Sequence, residues 1–307
     1  MAAKEIKNLA ASVRQRLLDL SKKRGDAFDL VLVRYALERL LYRLSVSEHG
    51  KRFLLKGALL FMVWGQNEHR PTRDADLLGS GASDPDHIKS VFKEICGMAY
   101  EDGIVFDGNS VSVAEIAEDK AYSGLRVTLR AELAGAEIPV QIDVGFGDVV
   151  VPGAEKVRYP PLLEFPAPEL DACPVYTVIA EKFQAMVMLG EANSRMKDFY
   201  DLWAIGKRFD LDGATLAQAI KATFERRKTA LPKGRPIALK KEFGDIPGRG
   251  AQWTAFVRRN RLDAREITLA KLQDAIAALV LEPVGALAEA KAFDLAWKPS
   301  GPWTKKG

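Results

Sequence analysis

The chain has 307 residues, 48% of them hydrophobic and 28% charged, a formal net charge of +4 and a pI near 8.9. It is long enough for one large domain or two ordinary ones, and its composition is that of a globular protein able to bury a core, which excludes disordered and fibrous classes. The mild basicity permits an anionic partner without requiring one.

The two cysteines, Cys96 and Cys173, sit in no CxxC or CxxH setting, which argues against a disulfide framework or zinc knuckle and for a reducing compartment. The N-terminal "MAAKEIKNLAASVRQRLLDLSKKRGD" lacks the uninterrupted apolar core of a secretory signal. No apolar run approaches the roughly 18 residues of a membrane span. The expectation is a soluble cytoplasmic protein with no membrane partner.

In chain order, the first 50 residues read as helical. In "FDLVLVRYALERLLYRLSVSEHG", Val33, Leu37, Leu40, Leu41 and Leu44 recur at helical spacing with Arg34, Glu38, Arg39 and Arg43 between them, and Gly50 is the stop. "FLLKGALLFMVWG" reads as a short apolar lead-in, a turn at Gly57 and a compact helix ending near Gly65. "HRPTRDADLLG" is extended, since Pro71 disfavours helix at Arg70, and its DxD starts a strand. "DPDHIKSVFKEICGMAY" is a helix capped by Asp84.

The period then changes. "GIVFDGNSVSVAEI" predicts two short strands around the turn Asp107-Gly108-Asn109. "GLRVTLRAELAG" alternates Leu125, Val127 and Leu129 with Arg126, Thr128 and Arg130. In "IPVQIDVGFGDVVVP", Val140, Ile142 and Val144 face one way, and Gln141 and Asp143 the other. The proline-rich "YPPLLEFPAPELDACPVY" is expected to be an extended linker wrapping the sheet. From Thr177 to near Leu281 the pattern is helical, broken by "LPKGRPIALKKEFGDIPGRG", and the tail "WKPSGPWTKKG" is expected to pack poorly. The fold class is α+β: a sheet-centred domain over 1–170 and a helical domain over 171–307.

Four constellations carry chemical meaning. Asp74 and Asp76, two residues apart on a strand, share a face, so their like charges repel unless a cation sits between them. With Gly57 opening a helix whose backbone N–H groups face an anion, they read as a hard-cation and phosphate site; alone, they read as a solvated strand edge. Asp143 is unusual in a Val/Ile-rich strand. Should that strand lie beside the DxD strand, three carboxylates converge as in a two-metal site, with Asp148 the runner-up.

Lys182 falls inside an apolar helical arc, where it either snorkels to the rim or reaches an anion. Downstream, "NSRMKDFYDLW" reads as a surface helix start with ion pairs or as a phosphate- or base-binding edge. Finally, "ERRKTALPKGRPIALKKEF" and "FVRRNRLDAR", interleaved with Phe224, Phe243, Trp253 and Phe256, suit either a solvated surface or RNA.

The ordered set "LLKGALLFMVWG...RPTRDADLL", "VQIDVGFGD" and "TVIAEKFQAMVMLGEANSRMKDFYDLW" resembles the AbiEii/AbiGii nucleotidyltransferase toxin family, of the polymerase-β-like minimal nucleotidyltransferase superfamily, from about Tyr35 to Trp203. The resemblance implies a nucleotidyltransferase-type mixed sheet flanked by helices. It places the NTP phosphates at Gly57, with Ala58 where the family often has Ser or Gly, so that only a backbone N–H can serve there. It implies that Asp74, Asp76 and Asp143 hold Mg²⁺, two ions in all, with Asp143 a ligand or a base for the acceptor hydroxyl. Lys182, Lys197 and Asp198 would complete the NTP site; Arg70 and Thr72 could touch phosphate, and Arg73 pair with a neighbouring carboxylate. The implied biology is a toxin–antitoxin or phage-exclusion toxin with a separately encoded antitoxin, transferring a nucleotide to a tRNA 3′ end or another RNA. An NTP-binding protein without transfer, and a metal-dependent phosphohydrolase or nuclease, are the alternatives.

Overall fold

A computed structural model describes residues 8–65, 70–119, 122–262 and 268–306. His69 of the extended lead-in, Asp263, Ala264 and Arg265 of the basic run, and the first seven residues lie outside them. The chain divides into two compact units: one formed by Met1–Gly147 with Glu155–Ala172, the other by Asp148–Ala154 with Cys173–Gly307.

The first unit runs α1 (Leu9–Arg24), α2 (Phe28–Val46), β1 (Phe53–Lys56), α3 (Leu59–Val63), β2 (Asp74–Gly79), α4 (Pro85–Gly97), β3 (Val105–Asp119), β4 (Tyr122–Leu133), β5 (Ala136–Phe146), β6 (Glu155–Arg158) and β7 (Glu169–Ala172). Local chemistry sets the helix ends: Asn8 accepts from the Ala11 N–H, Asp84 caps α4 through the Asp86 N–H, and Gly25 ends α1 in the left-handed conformation. The strands form one seven-stranded mixed sheet in the order β3-β4-β5-β2-β1-β7-β6, with β2 parallel to β5 and β1 parallel to β7. Leu125, Val127 and Leu129 of β4 and Val140, Ile142 and Val144 of β5 are buried, as their alternation requires. Helix α2 packs on β5, and α4 on β3.

Two expectations need correction here. The segment read as two strands about Asp107 is one strand, β3, with a register shift between Asp107 and Ser112. The turn residues make a bulge instead of a hairpin: Asp107 Oδ1 accepts from the Asn109 N–H at 3.0 Å, and Ser110 Oγ accepts from the Arg130 N–H at 2.9 Å, so side chains satisfy the ladder where backbone partners are lost. The end of the proline-rich segment is not merely a linker, because Leu54 and Leu55 of β1 pair with Asp171 and Ala172 of β7. The charged stripe of α2 is internal: Glu38, Arg39 and Arg43 are buried. Arg43 forms a two-pronged pair with Asp102 at 2.7 and 3.1 Å, Arg39 donates to the Pro166 carbonyl at 3.0 Å, and Glu38 accepts from the Leu162 N–H at 2.7 Å. Buried charges persist because each meets partners.

The second unit comprises α5 (Val175–Leu189), α6 (Met196–Arg208), β8 (Leu211–Asp212), α7 (Gly213–Arg226), α8 (Lys241–Asp245), α9 (Arg249–Arg259), α10 (Leu269–Ala288), β9 (Leu295–Trp297) and β10 (Trp303–Lys305). Residues 148–154 belong to it through the Val151 N–H, which donates to Thr177 Oγ1 at 3.0 Å, and through Arg227, whose Nε and Nη2 lie 3.2 and 3.0 Å from Asp148 Oδ1. The tail is not loosely packed. It contributes β10 and the end of β9 to a three-stranded sheet, β10-β9-β8, and buries Trp297 and Trp303. Their indole N–H groups donate to the Gly206 and Leu279 carbonyls at 2.7 and 3.1 Å, giving two large side chains a polar anchor that composition alone does not show. Among the described residues no helix is long and apolar enough to cross a membrane.

Candidate active site

Strand β2 sits between β1 and β5. Ala75 and Leu77 point into the core, so Asp74 and Asp76 occupy the opposite, half-exposed face. Asp76 lies in register with Lys56 on β1 and with Asp143 on β5, and Asp74 with Gln141. Three carboxylates therefore share one sheet face across two adjacent strands, about 4.8 Å apart in the pairing direction.

Gly57 follows Lys56 with φ +70, and a Cβ built there would lie 1.8 Å from Asp76 Oδ2. The glycine is needed twice, for the left-handed backbone and for the space that the carboxylate fills. Helix α3 beyond it has only five residues, so its dipole is small, and the turn's main contribution is room. Buried Ala58 precedes α3 without a side-chain cap. Gly57→Ala is expected to cost about 1–3 kcal/mol of stability from strain and displacement of Asp76, and to remove most transfer activity. Urea unfolding and initial-rate measurements check this, and wild-type transfer by the alanine variant would refute the packing argument.

Asp143 is held by Arg126, its register partner on β4: Nε to Oδ1 at 2.9 Å and Nη2 to Oδ2 at 2.8 Å. A bidentate guanidinium is among the strongest partners a carboxylate finds, and it offsets the repulsion that Asp76 would otherwise impose. Gln141 Nε2 lies 3.4 Å from the same carboxylate. Thr72 Oγ1 donates to Asp74 Oδ1, and Arg70 is half-buried just before it. Arg73 pairs with Asp29 at 2.5 Å, the neighbouring carboxylate expected for it.

The donor chemistry at Asp74 and Asp76 fits a hard divalent cation: two carboxylates on one face, one of them seated in the space a side chain at Gly57 would take. Asp143 could join them only by sharing its oxygens with Arg126. Among the described residues, a group of three acidic or histidine side chains with ligand atoms within 4.8 Å of one another is formed by Glu48, His49 and Glu94, and not by the three aspartates. Glu48 and His49 of that group precede β1 and Glu94 lies on α4, so none of them is on β2 or β5, and the two glutamates are largely exposed.

In the second unit, Lys182 Nζ lies 2.7 Å from Asp198 Oδ1 and 2.8 Å from Asp201 Oδ2. The lysine thus reaches carboxylates instead of snorkelling, and ties α5 to α6. Lys197, next to Asp198 in sequence, is exposed on α6. Asp148 serves the second unit through Arg227. Sequence reasoning gave no site role to Lys56 or Arg126, and took Asp201 only as part of the charged start of α6. Lys56 adjoins Gly57 and Arg126 lies on the polar stripe of its strand, so each had a positional signal but no chemical one, while Asp201, one helical turn after Asp198, carried the ion-pair signal of its segment.

A mixed sheet bearing these paired carboxylates beside a glycine turn belongs to the nucleotidyltransferase class of enzymes. Residues 39–280 match the family described as nucleotidyl transferase AbiEii toxin, type IV TA system, and the chain is a member of that family. The family implies a nucleoside triphosphate substrate and an antitoxin partner. No curated protein sequence matches significantly. Two Helicobacter pylori crystal structures align at 12% identity and TM-score 0.49. One, provisionally assigned as a nucleotidyltransferase, covers 87% of this chain and 100% of its own; the other, JHP933, covers 86% and 95%.

Proposed function

We propose that this toxin transfers a nucleotidyl group from an NTP to an RNA 3′ end, foremost that of a tRNA, with Mg²⁺ held by Asp74 and Asp76. The observation that carries the reading is the register of Asp76 with Asp143 beside Gly57, which gathers hard-oxygen ligands and phosphate space on one sheet face of a family nucleotidyltransferase. The acceptor hydroxyl attacks the α-phosphate; the new P–O bond forms as the bond to pyrophosphate breaks. Bound Mg²⁺ supplies charge neutralisation for the phosphates. The chain's own residues do the rest. Asp143, oriented by Arg126, receives the acceptor proton or shares in metal binding; the Gly57 turn gives the triphosphate close access to the backbone; Lys56 and Arg70 add positive charge.

Incubating the protein with each radiolabelled NTP, Mg²⁺ and total tRNA should label RNA. Absence of label on any RNA, with folding confirmed by circular dichroism, would remove the RNA-acceptor reading, and label on a protein would redirect it.

A further inference from the structure

The sheet face that carries the aspartates continues past Asp143, away from β1 and Gly57. Thr128 on β4 is in register with Gln141, and Arg130 with Pro139; directly opposed residues share a face. Together with Arg73 and Ser110 they line a cleft of about 540 Å³. That size suits a ligand of one or two nucleotide units. Gln141 joins the cleft to the candidate site, since it lines the cleft and its amide reaches Asp143 at 3.4 Å.

Val33, Leu129 and Val140 make the rest of the lining apolar, and the two arginines on it are its cationic groups, held adaptably. Arg130 Nη2 lies 3.0 Å from Asp107 Oδ2, with the side chains 57% and 42% exposed, and Arg73 and its partner Asp29 are 59% and 64% exposed. Exposed pairs of this kind contribute little, so a phosphate can share or replace the carboxylate at small cost. The Arg130 hydrogen bond holds the Asp107 carboxyl below its ordinary range, so that carboxylate stays charged and competes with any anion for Arg130. Ser110, Thr128 and Gln141 add hydroxyl and amide groups able to pair with ribose hydroxyls.

We propose that this cleft binds the acceptor strand: Arg130 and Arg73 take its phosphates, Gln141, Thr128 and Ser110 its ribose edges, and its terminal hydroxyl is delivered to Asp143. The inference rests on the RNA-acceptor reading above. It assigns the two substrates to opposite flanks of β2, the nucleotide to the β1 side with Gly57 and the RNA to the β5–β3 side.

The test measures fluorescence anisotropy of a 5′-fluorescein single-stranded RNA over a salt series, beside calorimetry with each NTP and Mg²⁺. Arg130→Gln should weaken RNA binding about tenfold and lower the salt slope by about 0.7, the loss of one phosphate contact to a single strand. NTP binding should not change. Asp107→Asn, which frees Arg130, should tighten RNA binding a few-fold; a purely structural pair would not give that sign. Melting curves check the fold of both variants. RNA binding and labelling that both variants leave unaltered would overturn the cleft assignment alone, as would weakened NTP binding with RNA binding intact. A wild-type protein that labels a protein acceptor and binds no RNA would overturn the cleft and the RNA-acceptor reading together.

Discussion

Asp76→Ala is expected to abolish nucleotidyl transfer while leaving the melting temperature unchanged or raised. Asp76 stands at the crossing of the site: on β2, opposite Lys56 on one side and Asp143 on the other, its carboxylate in the space left by Gly57. Losing it removes a carboxylate from the proposed cation site, in which Asp143 is already paired with Arg126. A drop of about a thousandfold or more, roughly 4 kcal/mol of transition-state stabilisation, is the expected scale for a group that organises phosphate charge. Stability should not follow. Asp76 is half-exposed, and deleting it relieves repulsion from Asp74 on the same face. Initial rates with labelled NTP and tRNA, together with calorimetric melting, separate the two effects. A variant that keeps more than about a tenth of the rate would show that Asp76 does not organise the reaction.

Much of this site is legible in the sequence. A strand's period of two dictates that Asp74 and Asp76 share a face and that Asp143 opposes Val140, Ile142 and Val144. Gly57 was legible as a turn, because only glycine takes its backbone conformation cheaply. What the periodicities could not provide was partnership across the sheet. That Asp143 is held by Arg126, and that Lys56 opposes Asp76, follow from strand order and register, and neither is encoded within a single strand. The remaining gaps share a cause. Nothing local to α2 marks Glu38, Arg39 and Arg43 as buried, because Asp102, Leu162 and Pro166, far along the chain, supply their partners. The tail looked loose because two tryptophans among prolines and lysines have no local pattern, and their anchoring carbonyls lie on Gly206 and Leu279. Local rules find elements and faces; long-range polar contacts decide which charged and aromatic groups go inside.

The second large effect is expected at Lys182, and it falls on stability. Its ammonium is the shared partner of Asp198 and Asp201, and the side chain of Asp201 is fully buried while that of Asp198 is 6% exposed. Two carboxylates one helical turn apart on α6 would repel strongly in that environment without a cation between them. Lys182→Met keeps most of the apolar stem and removes only the charge, so packing loss is small and the uncompensated carboxylates dominate. The expected cost is about 3–5 kcal/mol, a fall in melting temperature on the order of 10 °C. Asp201→Asn alone should cost less, because the Lys182–Asp198 pair survives. The double variant Lys182→Met/Asp201→Asn should recover part of the loss, with a coupling of about 1–3 kcal/mol in a double-mutant cycle. A Lys182→Met protein that melts like wild type would mean that the lysine does not compensate these carboxylates. Transfer by the double variant then separates folding from chemistry. Recovered activity would confine Lys182 to holding α5 against α6; a double variant that melts near wild type but stays inactive would show that the lysine does more than pair these carboxylates.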